Sequence, residues 1–434
     1  MDRIDIGFIG IAATLLLIGL RVPIGVAMGS VAFAGITAMM GMRPAIGIAK
    51  AIPYELIGDW NLSAVPMFLL MGYVASRAGL TNGLFGAARI FLNAIPGGLA
   101  SSTVAASALF ASASGSSVAT AAAFSRIAVP EMLKAGYSPS LATGSVAAAG
   151  TLGSLIPPSV LFIVFGLMMD VSISTLFVAG IVPGVLSALM FVGMITWRAW
   201  RNPSLAPRVV EHHSRAERLA LLRDTWPLPV LIAGVMGGIF AGIFTATEAG
   251  AVGAFLACTI ALLRRRLSVE VMRQALFDTA VGTSTIFIIV VGAALFARFV
   301  ALSTLPNWLM TFFDGYSAVT VIVLVSALYL VLGCFLESIS IMLLTLPVLA
   351  PLLSALGIDL VWFAVITVKL LEIGLITPPV GMNVYVIRSS LGGTVPLGTI
   401  FAGAGWFILT DVITLALLIG FPALSLWLPG MMVR

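Results

Sequence analysis

The sequence predicts an all-α polytopic membrane protein with two inverted repeats, each containing a re-entrant helical hairpin and a broken transmembrane helix. The chain has 434 residues, of which 60% are hydrophobic and only 9% are charged. Such a chain has too few polar side chains to cover a soluble globule. Apolar runs of about 15 to 25 residues recur along nearly the whole chain, which indicates membrane-spanning helices rather than alternating strands.

The third observation is a repeated interruption of the apolar sequence. Gly153-Ser-Leu-Ile-Pro-Pro158 in the first half and Gly374-Leu-Ile-Thr-Pro-Pro379 in the second half share the same glycine and proline pair. Helix-breaking residues at matching positions of two hydrophobic halves point to the binding site of a transporter. The sequence therefore predicts a binding site formed by both breaks.

The first apolar run, from Gly7 to Leu20, predicts a retained helix. It follows a charged start with Asp2, Arg3 and Asp5 and has no small-residue cleavage site. These features argue against a cleaved signal peptide.

A small, hydroxyl-rich segment from Ala111 to Thr120 precedes a helical stretch to Leu133. This pattern predicts a re-entrant turn in which Ser116 or Ser117 caps a half-helix. A half-helix that begins inside the membrane presents free N–H groups and the positive end of its dipole, which favour a bound anion. The alternative is a face of small residues for close helix packing.

The first break follows that hairpin. Pro157 and Pro158 carry no N–H and so leave the carbonyls of Gly153 and Ser154 without their usual helical donors. Free carbonyls in hydrocarbon must be satisfied, and a hard cation with oxygen ligands does this well. The alternative is a simple proline kink that a water molecule or a neighbouring hydroxyl satisfies.

A polar segment divides the chain into a first repeat, residues 1–200, a cytoplasmic basic linker, residues 201–226, and a second repeat, residues 227–434. Its only histidines, His212 and His213, are predicted to be solvated. The positive-inside rule places this segment and a second basic cluster in the cytoplasm. No aromatic residues interleave the arginines, which argues for contact with the lipid bilayer and against nucleic-acid binding. The basic residues are Arg198, Arg201, Arg208, Arg215, Arg218, Arg223 and Arg264 to Arg266.

The second half begins with two apolar runs, Leu228 to Phe244 and Ala246 to Leu263, that join at Thr245. Because both flanking basic clusters are assigned to the cytoplasm, this hairpin opens to the outside. Glu248 beside the turn is then a solvated residue or a helix cap. If each half crosses the membrane an odd number of times, the repeats are inverted and both termini are periplasmic.

The second hairpin and break repeat the first at the offset that relates Gly153 to Gly374. Glu337 and Ser338 occupy the tip, and the carbonyls of Gly374 and Leu375 are predicted to be free. A carboxylate in an apolar run indicates function, so Glu337 is a candidate to ligate a cation, carry a proton or bind substrate hydroxyls.

Two other positions carry charge within apolar sequence. Glu372 follows Lys369 by three residues, a spacing that puts both on one helix face and favours a neutralising pair over a substrate role. Arg77 and Arg298 match at the same offset, and either is predicted to snorkel to an interface or to balance charge at the moving boundary.

Taken together, these motifs resemble the large membrane subunit (DctM-type) of tripartite ATP-independent periplasmic (TRAP) transporters. The resemblance covers essentially the whole chain. It implies an elevator-type secondary transporter of the ion transporter superfamily in the bacterial inner membrane. The motifs are Gly115-Ser-Ser-Val-Ala119, the run from Ile127 to Tyr137, Ile156-Pro-Pro-Ser159 and the run from Glu372 to Asn383.

The resemblance also implies partners and cargo. Such a subunit works with a small four-helix membrane subunit (DctQ-type) and a periplasmic substrate-binding protein (DctP/SiaP-type). It imports a C4-dicarboxylate, sialic acid or another sugar acid with sodium. No further helical bundle precedes Gly7, so the small subunit is expected to be a separate chain.

Carried over by motif, the resemblance implies two Na⁺ sites beside one substrate site. The first cation site would use Ser114, Ser117, Gly153 and Ile156 or Pro157. The second would use Gly333, Ser338, Gly374 and Thr377. The substrate would contact Ser116, Ser117, Pro158, Glu337, Ser338 and Pro379.

Two positions depart from the family pattern. Glu337 stands where many relatives carry Asp, and the extra methylene would alter the geometry of the substrate site. Thr120 also stands where many relatives carry Asp, which removes a possible ion ligand or capping charge.

The predicted function is sodium-coupled import of an organic carboxylate. One alternative is a two-component sodium or proton symporter for dicarboxylates or citrate that needs no binding protein, and another is a passive channel. An intramembrane enzyme is disfavoured, because the sequence has no H-E-x-x-H motif, no G-x-S-x-G motif and no histidine in an apolar run.

Overall fold

A computed structural model describes residues 2–81, 83–208 and 215–432. Over these residues, the regular structure consists of 21 α-helices and three short 3₁₀-helices. The helices of the first half and the linker are α1 (Arg3–Gly19), α2 (Ile24–Met40), α3 (Met42–Ile57), α4 (Ala64–Arg77), α5 (Leu84–Leu92), α6 (Gly98–Ser114), α7 (Ser117–Lys134), α8 (Pro139–Leu155), α9 (Val160–Met169), α10 (Ile173–Arg201) and α11 (Arg215–Thr225).

The second half is also built from α-helices. Its helices are α12 (Pro227–Phe240), α13 (Ala246–Leu263), α14 (Val269–Leu302), α15 (Leu305–Phe312), α16 (Ala318–Gly333), α17 (Ser338–Ala355), α18 (Leu360–Gly374), α19 (Met382–Ser390), α20 (Leu397–Gly420) and α21 (Ala423–Leu426).

Several of these helices are long and apolar enough to cross a membrane. Within the described ranges, α10, α13, α14, α17 and α20 pass that test by length and composition. Helices α8 and α9, which are bent by 40° at the break between them, pass it when they are counted as one span. The prediction of an all-helical polytopic membrane protein is confirmed.

The helix boundaries repeat along the chain at the spacing that the sequence motifs have. Helix α7 begins at Ser117 and α17 at Ser338, and the starts of α8 and α18 are separated by the same number of positions. The halves differ where α3 and α4 correspond to the single 34-residue helix α14. A turn at Gly58 and Asp59 separates α3 from α4, and the Asp59 carboxylate accepts a hydrogen bond from the Asn61 N–H at 2.8 Å. The opposite orientation of the two halves and their boundaries stay predictions.

The first hairpin forms as its sequence predicts. Gly115 ends α6 in the left-handed conformation, at φ +60°, which glycine adopts without steric cost. Ser116 then caps α7, because its Oγ accepts a hydrogen bond from the Ala119 N–H at 3.3 Å. The turn before α13, which is predicted to be external, is also capped, since Thr245 and Glu248 form a reciprocal capping box.

Two groups of helices position the site. Helices α2, α4, α13 and α14 pack on one another, and helices α6, α7, α8, α19 and α20 form a second group. In the second group, Gly144 of α8 meets Gly403 of α20 so closely that a Cβ on Gly403 would lie 1.9 Å from the Ser140 carbonyl oxygen. Small residues allow such close approach of helices within a membrane.

The two segments predicted to be cytoplasmic touch each other. Arg264, at the end of α13, forms an ion pair with the Asp224 carboxylate, and its Nη1 donates to the Asp224 carbonyl at 3.0 Å. His212 and His213 lie outside the described residues.

Candidate functional site

A cavity of about 550 Å³ lies where both hairpin tips meet both broken helices. The tips contribute residues at the start of α7 and α17, and helices α8 and α18 contribute residues near their breaks. Helices α4 and α14 complete the wall. The polar lining residues are Tyr73, Ser76, Ser114, Ser116, Ser117, Ser154, Thr285, Glu337, Ser338 and Glu372.

Beside the first hairpin tip, three buried side chains are linked by hydrogen bonds through their oxygen atoms. The Ser117 hydroxyl donates to Glu372 Oε2 at 2.5 Å, and its oxygen lies 2.9 Å from Ser154 Oγ. Glu372 is only 2% exposed. Its second oxygen, Oε1, has no hydrogen-bond partner among the described residues. The site therefore brings together side chains from α7, α8 and α18.

The predicted pair of Lys369 with Glu372 is wrong. Lys369 instead forms an ion pair with Asp411 of α20 and donates a hydrogen bond to Ser187 Oγ at 3.1 Å. Helix periodicity places Lys369 near Glu372, but packing against α20 supplies a carboxylate that is itself fully buried. Asp411 was missed by the sequence reasoning, although it is the only acidic residue in the apolar run 397–420.

The two breaks differ in how their carbonyls are satisfied. At the first break, no backbone N–H in the described part of the chain donates to Gly153 O or Ser154 O, as predicted. At the second break, the prediction is wrong, because Thr377 N–H donates to Gly374 O at 3.2 Å and Asn383 N–H donates to Leu375 O at 3.0 Å. The chain after Gly374 folds into tight turns that bring new donors to these carbonyls.

The ligands predicted for the second cation site are partly brought together. Gly333 and Gly374 are in direct contact, since a Cβ on Gly374 would lie 2.6 Å from Gly333 Cα. Ser338 Oγ is buried and has no partner among the described side chains and backbone groups. Thr377 is half-buried, and its hydroxyl donates to Ile373 O at 2.7 Å.

The remaining predicted ligands flank the first tip. The Ser114 hydroxyl lies 3.0 Å from Thr120 Oγ1, and Thr120 in turn donates to Ser116 O at 2.8 Å. Ile156 is half-buried and Pro157 is buried at the break. The Thr120 hydroxyl therefore takes part in a hydrogen-bond network within the first hairpin tip.

The predicted substrate residues separate into two sets. Ser116, Ser117, Glu337 and Ser338 line the cavity, so the structure brings them together. Pro158 and Pro379 are not among the lining residues. Pro158 lies instead beside a void of about 10 Å³ next to Gly115, and Pro379 is exposed.

In this cavity, the groups that could attract an anion belong to the backbone and not to side chains. No lysine, arginine or histidine occurs among its described lining residues. Helices α7 and α17 both begin at the cavity, and helix N-termini attract anions through free N–H groups and the dipole. Glu337, the N-cap of α17, makes no capping bond with its side chain, and its Oε2 accepts from Ser340 Oγ at 3.2 Å.

The donor set suits a hard cation. Free carbonyls at the first break, the hydroxyls of Ser117 and Ser154, and the unpartnered oxygen of Glu372 are all oxygen ligands. Hard cations prefer such ligands.

Comparisons with known proteins identify relatives along most of the chain. Residues 11–424 match the family model described as tripartite ATP-independent periplasmic transporter, DctM component. The chain is 36% identical over 384 residues to the C4-dicarboxylate TRAP transporter large permease protein DctM of Pseudomonas aeruginosa, covering 87% of this chain and 88% of that protein. It is 34% identical over 378 residues to the sialic acid TRAP transporter large permease protein SiaM of Vibrio cholerae, covering 86% and 87%.

Two further comparisons concern a longer relative and a solved structure. The isethionate TRAP transporter permease protein DctMQ of Oleidesulfovibrio alaskensis is 33% identical over 385 residues, which cover 87% of this chain and 59% of that protein. The crystal structure of the Alcanivorax borkumensis YdaH transporter superposes with a TM-score of 0.63 at 16% identity, covering 88% of this chain and 89% of that one. This likeness shows a shared fold.

Proposed function

The chain belongs to the DctM component family of tripartite ATP-independent periplasmic transporters, and we propose that it imports an organic carboxylate together with sodium ions. It is a TRAP transporter large permease. The relatives named above are described as transporting a C4-dicarboxylate, sialic acid and isethionate. All three cargoes are organic anions, which supports an anionic cargo here.

The observation that carries the proposal is the cavity formed by both hairpin tips and both broken helices. The N-termini of α7 and α17 would bind the anionic group of the substrate. Cations held beside the tips would supply the positive charge that the described lining side chains lack. Carrying an anion and cations together lowers the desolvation penalty of moving charge through a low dielectric.

The proposed movement is an elevator. The cavity lies where the group containing α4 and α14 meets the group containing α7 and α8. The second group, together with α17 and α18 and hence with both tips, would carry the substrate and its cations past the first group as a rigid body. The hydroxyls of Ser116, Ser117 and Ser338 would orient the substrate, and Glu337 would accept from its hydroxyl groups.

Two partners complete the proposed system in the inner membrane. A small membrane subunit of the DctQ type would bind the permease, and a periplasmic protein of the DctP/SiaP type would deliver the substrate. A fused relative is named DctMQ, which supports the first partnership.

The test is uptake by proteoliposomes that contain the chain, its small subunit and the binding protein. Radiolabelled succinate, sialic acid and isethionate are supplied one at a time, with an inward sodium gradient or with choline in its place. We expect uptake of one cargo that needs both sodium and the binding protein. Uptake by the permease without any binding protein would instead favour a two-component symporter, and downhill flux without sodium would favour a channel.

A further inference from the structure

Glu372 is a buried carboxylate at the meeting point of the two halves of the chain. It lies on α18, in the second half, yet its Oε2 accepts a hydrogen bond from Ser117 of the first hairpin at 2.5 Å. Its other oxygen is buried and without a partner among the described residues. The side chain also lines the main cavity, so a ligand there can reach it.

This carboxylate has no ion-pair partner in the described part of the chain. Lys369, one turn earlier on α18, is engaged by the carboxylate of Asp411. All three side chains are buried, with exposures of 2% for Lys369, 2% for Glu372 and 0% for Asp411. With all three groups ionised, the cluster carries a net formal charge of −1 in a low-dielectric interior, which a bound cation would offset.

Oxygen atoms from the first half surround the same point. Ser117 Oγ and Ser154 Oγ lie 2.9 Å apart. No described backbone N–H donates to the carbonyls of Gly153 and Ser154. We propose that Glu372 is the anionic ligand of a cation site that it forms with Ser117 and Ser154, so that the two cation sites of this transporter differ in charge. The proposal rests on the sodium coupling proposed above.

The first half has no carboxylate equivalent to Glu372 that would face the second tip. At the offset that relates Ser117 to Ser338, Glu372 corresponds to Thr151, whose hydroxyl donates to Ala148 O at 2.6 Å within its own helix. Ser154 corresponds to Leu375, whose side chain offers no ligand. The ligands predicted for the site at Ser338, namely Gly333, Ser338, Gly374 and Thr377, are all neutral, and the neighbouring Glu337 accepts a hydrogen bond from Ser340 Oγ. The site at Ser117 carries a formal negative charge and joins α7, α8 and α18.

This difference has a consequence for binding order. The charged site binds sodium more tightly than the neutral site, and its cation connects the first hairpin to the second broken helix. The cation at Glu372 therefore binds first and organises the cavity before the substrate arrives.

The test measures sodium binding rather than transport. Thermal unfolding of the purified full-length chain is followed by tryptophan fluorescence in NaCl, with choline chloride holding the ionic strength constant. For Glu372→Gln, which keeps the size but removes the charge, the sodium concentration for half-maximal stabilisation rises about ten-fold or more, equivalent to about 1.4 kcal/mol. Glu372→Asp retains part of the affinity. Glu131→Gln, the same change at a partly exposed surface position of α7, leaves it unchanged.

A double-mutant cycle locates the effect at one site. Glu372→Gln and Ser117→Ala are non-additive because they affect the same cation, whereas Glu372→Gln and Ser338→Ala are additive. Wild-type sodium affinity in Glu372→Gln, or additivity with Ser117→Ala, would overturn the inference and leave sodium coupling in place. Absence of sodium stabilisation in the wild-type chain would overturn both proposals.

Discussion

At the scale of single residues, the site depends on which buried charges find partners. Helix spacing predicts Lys369 and Glu372 as neighbours, but the spacing within one helix says nothing about what the next helix presents. Lys369 forms its ion pair with Asp411 on α20, and Glu372 instead accepts a hydrogen bond from the hydroxyl of Ser117. By contrast, the capping role of Ser116 was predictable, because it depends on local sequence alone.

The buried pair of Lys369 and Asp411 predicts a strong coupling in stability. Lys369→Met leaves the Asp411 carboxylate without its partner, and Asp411→Leu leaves the lysine likewise. Each single change lowers the free energy of unfolding by about 3 to 5 kcal/mol. The double variant recovers most of that loss, since apolar side chains of similar volume replace both charges.

The measurement for this pair is the free energy of unfolding from sodium dodecyl sulfate titration in mixed micelles. A loss in the double variant equal to the sum of the two single losses would show that the two residues stabilise the protein independently.

Ser338 predicts a separate effect on transport. Its hydroxyl is buried, lines the cavity and has no partner among the described groups. Ser338→Leu places an apolar side chain at the start of α17, blocks the cavity and removes sodium-dependent uptake, while the fold survives. Uptake in proteoliposomes and thermal unfolding are measured together. Undiminished uptake would show that the second tip is not part of the binding site.

At the scale of elements, the hairpins and the first break follow from the sequence, whereas the second break does not. Gly115 and Ser116 mark a turn and a cap wherever they occur, and prolines always remove donors. The carbonyl of Leu375 is satisfied by the N–H of Asn383, at the start of α19. Only the path of the chain after the break determines that contact, and residue types do not specify that path.

The crossing of α8 and α20 provides a prediction at this scale. A Cβ on Gly403 would lie 1.9 Å from Ser140 O, whereas a Cβ on Gly405 would meet no atom within 4 Å. Gly403→Leu therefore forces the helices apart and lowers the free energy of unfolding by about 3 kcal/mol or more, at or above the usual range for overpacking. Gly405→Leu, further along the same helix, has little effect. Equal losses in the two variants would contradict the close crossing.

At the scale of the whole molecule, the two helix groups are each held together by their own contacts, and the cavity lies where they meet. In the first group, Arg77 of α4 forms an ion pair with Asp278 of α14 and donates to it from Nε at 2.6 Å. Arg77 thus balances a charge within this group, whereas the prediction placed such a role at the moving boundary, and Arg298 is exposed on α14. A group joined by such contacts suits a fixed scaffold. The sequence indicates that Arg77 is charged within an apolar region, but it does not indicate that Asp278 is the partner.

The inversion of the two repeats is testable through two matched loops. The loop between α1 and α2 and the loop between α12 and α13 occupy equivalent positions in the two halves. Inverted repeats place them on opposite sides of the membrane, with the first in the cytoplasm and the second in the periplasm. Leu20 and Ile243 are matched probes, since they are 68% and 67% exposed.

Each probe is introduced as Leu20→Cys or Ile243→Cys in a chain that also carries Cys258→Ala and Cys334→Ala, which removes both natural cysteines. A membrane-impermeant maleimide is applied to spheroplasts before and after permeabilisation, with Ser204→Cys in the linker as the cytoplasmic reference. We expect Ile243→Cys to react at once and Leu20→Cys to react only after permeabilisation. Labelling of both from the same side would mean that each half crosses the membrane an even number of times, and the repeats would then be parallel. In that case, Ser117 and Ser338 would begin half-helices that enter from the same side, and the two tips would not face one another across a shared substrate.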